Sequence, residues 1–314
     1  MEPHGVDPRS LRYFQAVAEF GSVSRASKAL RISQPAVSRQ VRRLEAILGV
    51  ALFDRNGHGV TLTDAGRALL ERSQIILRQL ELAQIEVRSG SAAMSGTITL
   101  AVPPAAGLFL VPALVQRCAA QYPNIFLKIV AGYSGYIHEW LLRGIADLAC
   151  LHDPLPQRDF KIIPLVREEV FLVGKPGTFP FRAGHVRTEQ LTRVALILPS
   201  RPNASRRLLD SWVSARGLSL NIKMEVDDSS IIRALLKDGA GFSLLTQGAF
   251  RSEVRRKELA ALPFRPRVHW PLALVMPTSH PRLALVGPVA SMIRETVRDL
   301  SRSGIWPSEV SPSA

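Results

Sequence analysis

The stretch SQPAVSRQVRRLE, residues 33–45, decides the fold of the amino-terminal part of the chain. It predicts a helix that Ser33 opens and Gly49 ends, with Pro35 in the first turn, where a proline costs no hydrogen bond. At about 100° per residue, four apolar residues fall within an arc of about 60° and predict one buried stripe. They are Val37, Val41, Leu44 and Leu48.

The opposite face of this helix carries a different set of residues. They are Pro35, Ser38, Arg39, Arg42 and Ala46. Small residues, a hydroxyl and two arginines fit the major groove of DNA, because a guanidinium can bond a guanine edge twice. A lone amphipathic helix with a solvated basic face has the same pattern, so the neighbouring segments have to decide between the two interpretations.

Those neighbours favour DNA binding. Residues 9–20 have helical spacing and end at Gly21, and Ser22 or Ser24 caps a second helix. Its predicted inner face is Val23, Ala26, Ala29 and Leu30. After the third helix come ALFDR, the turn NGHG and VTLT, which predict a two-stranded wing. Helix, turn, helix and wing in this order predict a winged helix-turn-helix domain over residues 1–66.

A long helix is predicted to lead out of this domain. Thr63-Asp64 caps it, and it runs to about Arg88 with more leucines and isoleucines than one face needs. The excess favours a coiled-coil-like dimer seam within residues 64–93, and packing against its own domain is the alternative. The segment SGSAAMSG, residues 89–96, has the composition of a linker.

The rest of the chain alternates short apolar strands with helices. The strands are TITLAV, IFLKIVA, DLACL, EEVFLVG, VALIL, IKMEV, FSLLT and LALVM. This alternation predicts an α/β domain with largely parallel sheets over residues 94–303, and its length predicts two lobes. We expect lobe I over about 96–166 and 270–302, lobe II over about 167–269, and a polar tail over 304–314.

Composition limits the function classes. The net charge of +14 favours a polyanionic partner, and residues 21–55 hold seven basic and two acidic side chains. Cys118 and Cys150 have no metal-ligand spacing and are expected to be buried thiols. GYSG lacks the nucleophile-elbow pattern, HEW lacks the second histidine of a zinc protease, and no nucleotide-binding glycine pattern occurs. We therefore expect that the protein is not an enzyme and that it has no cofactor or metal site.

LRYFQAVAEFGSVSRASKALRISQPAVSRQVRRLEAILGVALFDRNGHGVTLTDAGRALL, residues 11–70, resembles the amino-terminal domain of LysR-type transcriptional regulators. The resemblance implies a tetramer built from dimers through the linker helix, and a two-lobed effector domain of the type-2 periplasmic-binding fold. The family match and the helical wheel together give a set of expected DNA contacts. They are Arg31, Ser33, Gln34, Pro35, Ser38, Arg39, Arg42, Arg43, Arg55, Asn56 and His58.

Three loops of the second half each follow a strand and open a helix, as ligand-binding loops of α/β sheets do. They read AVPPAAG, AGYSGYIHEW and LPSRPNASRR, and they resemble the nitrogen-assimilation-control-like branch of the family. Ala105 stands where relatives often carry Ser or Thr, which puts a carboxylate inducer bound in the usual way in doubt. The backbone N–H groups of residues 104–107 could still bind an anion, since they need no particular side chain. The expected effector contacts are Pro103, Pro104, Ala105, Ser134, Gly135, His152, Ser200, Arg201, Asn203, Thr246 and Gln247.

The sequence therefore predicts a cytoplasmic bacterial transcription regulator that binds double-stranded promoter DNA and a small-molecule effector. A homo-oligomer is expected, and RNA polymerase is a further candidate partner. No membrane partner is expected, because the uncharged stretch from Ser89 to Gln116 contains prolines, glycines and a strand pattern, which do not fit a membrane span, and MEPHGVDPRS lacks the apolar core of a signal peptide. A solute-binding protein with an accessory domain and an α/β enzyme are the alternatives. The effector, the operator and the sign of regulation stay open.

Overall fold

The computed structural model describes residues 5–56, 59–88, 94–181, 183–201, 203–278, 280 and 283–311. It divides into two compact units, Met1–Gly90 with Arg143–Ile145, and Ser91–Leu142 with Ala146–Ala314. Each unit has its own hydrophobic core, so each can be described by itself.

The amino-terminal unit contains four helices and one hairpin among its described residues. They are α1 (Pro8–Phe20), α2 (Val23–Leu30), α3 (Gln34–Leu48), β1 (Phe53–Asn56), β2 (Gly59–Leu62) and α4 (Asp64–Arg88). The predicted ends of α1 and α3 are confirmed, since Gly21 and Gly49 both adopt left-handed backbone conformations, with φ of 58° and 70°. Ser22, rather than Ser24, caps α2.

Gly66, in the first turn of α4, is required by a close approach of two backbones. A Cβ atom at this position would lie 2.1 Å from the carbonyl oxygen of Leu52. Thr63 fixes the same corner, because its hydroxyl accepts from the Gly66 N–H at 3.0 Å and donates to the Ala51 oxygen at 2.8 Å. The wing and the long helix are therefore joined by a rigid turn.

The carboxy-terminal unit is built around a mixed sheet. Its strands are β3 (Gly96–Val102), β4 (Ile125–Ala131), β5 (Leu148–His152), β6 (Phe160–Gly174), β7 (Leu196–Leu198), β8 (Ile222–Glu225), β9 (Ser243–Thr246), β10 (Ala260–Pro263), β11 (His269–Pro277) and β12 (Ser308–Val310). Its helices are α5 (Pro104–Gln121), α6 (Ser134–Leu142), α7 (Ala204–Ser214), α8 (Ser229–Lys237), α9 (Arg251–Arg255) and α10 (Leu283–Arg302).

The strand β6 connects two lobes. From Phe160 to Glu169 it pairs with β11 in the sheet that also holds β5, β3 and β4, which we call lobe I. From Val170 to Gly174 it pairs with β9 and β10, which together with β7 and β8 form lobe II. Separate cores under each part confirm the predicted two-lobed architecture.

The prediction of largely parallel sheets was wrong. β3, β4 and β5 are parallel, as are β7 and β8, but every pairing made by β6 is antiparallel. The cause is the length of β6, which runs through both lobes and meets a returning strand, β11. Short apolar segments in a sequence do not reveal which of them belong to one long strand.

The polar tail was also predicted incorrectly for the residues that the structure describes. Trp306 is fully buried, and Ser308–Val310 pair antiparallel with β6 from Val166 to Glu168. The end of the chain up to Ser311 therefore belongs to the fold of the carboxy-terminal unit. One more property concerns the described helices as a group: none is long and apolar enough to cross a membrane.

Candidate functional site

The helix α3 presents two faces. Val37, Val41 and Leu44 are buried in the core of the amino-terminal unit, as predicted. Leu48 was predicted to share that stripe, but it is 37% exposed, because it lies in the last turn, beyond the packed core. Ala29 of α2 is likewise exposed rather than on the inner face.

The outward face of α3 is basic. Arg39, Arg42 and Arg43 are exposed, as are Ser33, Gln34 and Pro35 around its first turn. Ser38 is half-buried, and its carbonyl oxygen and hydroxyl each accept a long hydrogen bond of 3.4 Å from Arg42. Cationic side chains held outward on a fixed helix can bond both base edges and phosphates.

The turn between α2 and α3 is set by Arg31. This residue has a φ of 55°, the left-handed conformation that few residues other than glycine adopt. Its N–H bonds the Lys28 oxygen at 3.2 Å, which ends α2, and its side chain is exposed beside the start of α3. Arg31 therefore lies next to the predicted DNA-contacting residues.

Glu45 ties α3 to the wing, a role that sequence reasoning missed. Its carboxylate accepts from the N–H groups of Leu52 at 2.9 Å and Phe53 at 3.3 Å. The wing hairpin pairs Phe53 with Leu62 and Asn56 with Gly59. Arg55 lies in β1 as predicted, and Asn56, predicted in the turn, is the last residue of that strand. The side chains of both residues, like His58 as a whole, lie outside the described part of the chain.

In the carboxy-terminal unit, the ends of β3, β4, β5, β7 and β9 surround a cavity of about 70 Å³ between the lobes. Seven of the eleven predicted effector contacts line it: Pro103, Pro104, Ala105, Ser134, His152, Asn203 and Thr246. Sequence reasoning did not name the remaining lining residues. They are Tyr133, Pro199, Ser205, Ser229, Ile232, Leu244, Leu245, Ala249 and Trp270.

The other four predicted contacts lie elsewhere. Gly135, Ser200 and Arg201 line a neighbouring pocket that shares Tyr133 and Asn203 with the cavity. Gln247 begins a short 3-10 turn, Gln247–Ala249. Within that turn, a Cβ atom on Gly248 would lie 2.1 Å from the Ala105 oxygen, so the lobes meet closely at this point.

A buried carboxylate bonds His152, one of the residues that line the cavity. Glu168 is 2% exposed and lies where β6 passes from lobe I to lobe II. Its two oxygens bond His152 Nε2 at 2.7 Å and the Trp306 indole N–H at 3.0 Å. Burial, followed by the Glu168 charge, raises the pKa of Cys150 to about 12, so this thiol stays protonated, as expected of a structural cysteine.

Two family models match the chain. A bacterial regulatory helix-turn-helix protein of the lysR family matches residues 8–67, and a LysR substrate binding domain matches residues 91–298.

The chain belongs to the LysR family. It is a LysR-type DNA-binding transcription regulator with an amino-terminal helix-turn-helix domain and a carboxy-terminal effector-binding domain. This confirms the family and the function that the sequence predicted.

Relatives of the LysR family cover most of the chain. The HTH-type transcriptional regulator BbuR of Bordetella bronchiseptica is 32% identical over 304 residues, 96% of this chain and 93% of the relative. The nitrogen assimilation regulatory protein nac of Escherichia coli is 32% identical over 249 residues, 78% of this chain and 79% of the relative. Nac is thus among the similar proteins, in keeping with the branch that the effector loops resemble.

Solved LysR-type structures share the fold. CbnR, a LysR family transcriptional regulator, superposes with a TM-score of 0.70 at 23% identity, over 94% of this chain and 99% of that chain. Full-length CbnR complexed with its target DNA gives a TM-score of 0.69 at 24% identity, over the same shares. At such identities the likeness concerns the fold.

Proposed function

We propose that a small molecule bound between the lobes controls how this regulator binds promoter DNA. The observation that carries the proposal is the cavity at the strand ends of both lobes, lined by loops from lobe I and lobe II. A ligand that contacts both lobes stabilises one lobe arrangement over others, and it shifts the population only as far as its affinities for those arrangements differ. In an oligomer, such a shift changes the spacing of the recognition helices on DNA.

The exposed face of α3 is the proposed DNA-reading surface. Arg39 is the proposed base reader, while Arg42, Arg43 and Arg31 are proposed to bind phosphates. Ser33, Gln34, Pro35 and Ser38 complete the surface on the helix, and the wing with Arg55, Asn56 and His58 is proposed to follow the adjacent minor groove. What supports this is the outward direction of these α3 side chains, opposite a stripe that the core fixes.

The proposed effector contacts are the seven predicted residues that line the cavity, with the residues of the neighbouring pocket extending the site. Catalysis is not part of the proposal. His152 is bonded to Glu168, as expected of a structural wall residue, and the similar proteins are transcriptional regulators.

We further propose a cytoplasmic location, where bacterial promoter DNA lies, and contact of the DNA-bound regulator with RNA polymerase.

A single experiment tests ligand control. The full-length protein is screened by thermal shift against small metabolites, since a ligand that binds only the folded state raises the melting temperature. Each compound that does so is then tested for its effect on the footprint of the protein on its own promoter. We expect the same compounds to change both. Ser134→Trp, which fills the cavity, should remove both effects, and Ser214→Trp, at the exposed end of α7, should remove neither.

We also propose that the protein is a dimer of dimers in which α4 pairs with its copy. Leu69, Leu70, Leu77 and Leu80 of α4 pack against the core of their own unit, which accounts for part of the apolar excess. Ile76 is 45% exposed and is therefore the clearer reporter of a dimer seam. Ile76→Asp should lower the oligomeric state measured by sedimentation, whereas Gln74→Asp, an exposed control on the same helix, should not. Unchanged sedimentation of Ile76→Asp would remove α4 from the dimer interface.

A further inference from the structure

The cavity between the lobes is lined by residues other than lysine, arginine, aspartate and glutamate, the types that are charged at neutral pH. Among its sixteen lining residues, all within the described chain, there is no lysine, arginine, aspartate or glutamate. The ionisable ones are Tyr133 and His152. A buried anion needs a cationic partner or several hydrogen bonds to offset its lost hydration, and these two side chains are the lining groups that could supply a charge.

His152 is already committed to a carboxylate. Its Nε2 atom lies 2.7 Å from Glu168, and both side chains are buried. An imidazolium beside a carboxylate has a net charge of zero, and a neutral imidazole beside a carboxylate has a net charge of −1. With the Glu168 carboxylate as its partner, His152 therefore adds no net positive charge to the cavity.

Tyr133 reports an environment that disfavours a negative oxygen. Burial and then the charge of Asp228 raise its pKa to about 12, with Asp227 adding to the effect, while a Ser229 hydrogen bond and Arg233 oppose it. The phenol therefore stays protonated at neutral pH. A carboxylate of a ligand beside Tyr133 would meet the same burial and the same two aspartates.

The arginines around the cavity are held by acidic side chains. Arg201 bonds Asp210 at 2.7 Å, and Arg233 bonds Glu253 at 3.2 Å. Arg207 lies 3.5 Å from Asp153 and 3.1 Å from its carbonyl oxygen. The neighbouring pocket that contains Arg201 also contains Glu139 and Asp227. Cationic groups near the site are thus largely neutralised before a ligand arrives.

Asn203 supplies a buried polar contact beside the hydroxyl groups that also line the cavity. Its side-chain oxygen accepts from the Ser205 N–H at 2.9 Å and the Ser205 hydroxyl at 2.6 Å, which fixes the orientation of the amide. Asn203 is 5% exposed, and its Nδ2 atom finds no acceptor among the described residues. A buried amide donor without a partner is costly, so a ligand acceptor here would gain that free energy back.

We propose that the effector is a small uncharged molecule whose carbonyl oxygen accepts a hydrogen bond from Asn203 Nδ2 and whose apolar part packs against Trp270 and Leu244. The inference rests on the proposed control by a ligand in this cavity, and it names the class of that ligand. Ala105 agrees with it, since an alanine adds no hydroxyl for an anion at the start of α5. Asn203 is then the residue that determines specificity.

The test compares acids with their primary amides on the full-length protein by calorimetry at neutral pH. Butyrate with butyramide and benzoate with benzamide are the probes. We expect each amide to bind at least about tenfold more tightly than its acid. The proposal would be overturned if the acids bound more tightly than their amides, or if none of the four compounds bound.

Asn203→Asp is the decisive variant, because an aspartate keeps the acceptor that caps α7 and exchanges the amide donor for a second, negatively charged acceptor oxygen. We expect it to lose amide binding about tenfold or more, while Asn221→Asp, the same exchange at an exposed position, retains it. Undiminished amide binding by Asn203→Asp would overturn the proposal. Ser134→Trp separates the two levels: if acids bind better and Ser134→Trp abolishes that binding, the cavity remains the effector site and only the uncharged class is wrong. If probes still bind Ser134→Trp, the cavity itself is excluded.

Discussion

The proposed DNA-reading surface of α3 and the proposed effector cavity differ in how their charges are placed. On α3, Arg39, Arg42 and Arg43 are exposed to solvent. At the cavity, His152 is buried and hydrogen-bonded to the buried Glu168 carboxylate at 2.7 Å. A polyanion such as DNA is attracted by cations that remain in water, whereas a small ligand enters a site where every buried charge must already have a partner. The position of charge, rather than its amount, therefore distinguishes the two sites.

The largest expected effect is a loss of stability on substitution of Trp306, the indole that bonds Glu168. Trp306 is fully buried, donates to Glu168 and stacks on Phe109 with ring centroids 5.6 Å apart. Trp306→Ala removes both contacts and should lower the unfolding free energy of the carboxy-terminal unit by about 3–5 kcal/mol. Urea denaturation followed by circular dichroism measures it.

Trp306→Phe sharpens this prediction, because phenylalanine keeps an aromatic ring but cannot donate to Glu168. It should cost about 1–3 kcal/mol, the penalty of leaving a buried carboxylate oxygen without its donor. If Trp306→Phe is as stable as the wild type, the buried Glu168 carboxylate does not depend on the hydrogen bond from Trp306.

The next effect is on the stability of the apolar stripe of α3, which fixes the helix so that its arginines face outward. Leu44 is fully buried and Leu48 is 37% exposed on the same helix, so one substitution at both positions separates core from surface. Leu44→Ala should cost about 2–5 kcal/mol of stability, and Leu48→Ala less than about 1 kcal/mol. Thermal unfolding of the amino-terminal unit is the measurement. Equal losses would mean that the stripe of α3 extends to Leu48, as the helical wheel predicts.

The two sites also differ in how far the sequence predicts them. The proposed DNA-reading surface lies within one helix, so a helical wheel places Arg39 opposite Val37 and Val41 correctly. It fails at Leu48 because a wheel contains no information about where the core ends. The cavity combines strand ends that are far apart in sequence. Loop patterns predict Asn203 and Ser134, but Trp270 comes from the returning strand β11, whose pairing with β6 no local pattern shows.

Glu168 shows the same limit more sharply. In the sequence it is one of two adjacent glutamates before an apolar strand, a position typical of a solvated charge. In the structure it is buried because β6 continues back to Phe160 and β12 covers it. Its partners His152 and Trp306 are 16 and 138 residues away, so only the tertiary fold brings the three together.

Substitution of Arg39 tests whether the exposed face of α3 reads the DNA sequence. Arg39→Ala should weaken binding to the specific operator by about 1–3 kcal/mol and relax the preference at one base pair, if its guanidinium bonds a guanine edge. Footprinting against operator variants measures both effects. Arg302→Ala, which removes an exposed arginine from α10, is the matched control and should leave the preference intact. An operator preference that survives Arg39→Ala would assign base reading to another residue of α3.

The smallest effect separates base reading from phosphate binding. Arg42 reaches back to Ser38 through two long hydrogen bonds of 3.4 Å, weak enough for phosphate to compete for the guanidinium. Arg42→Ala should weaken all DNA sequences alike and reduce the slope of log affinity against log salt concentration by roughly one, because one fewer phosphate is neutralised. Titrations at several salt concentrations measure the slope, with Arg39→Ala as the comparison. A change in sequence preference without a change in slope would exchange the roles of the two arginines, and the basic face of α3 would then read bases one turn further along the helix.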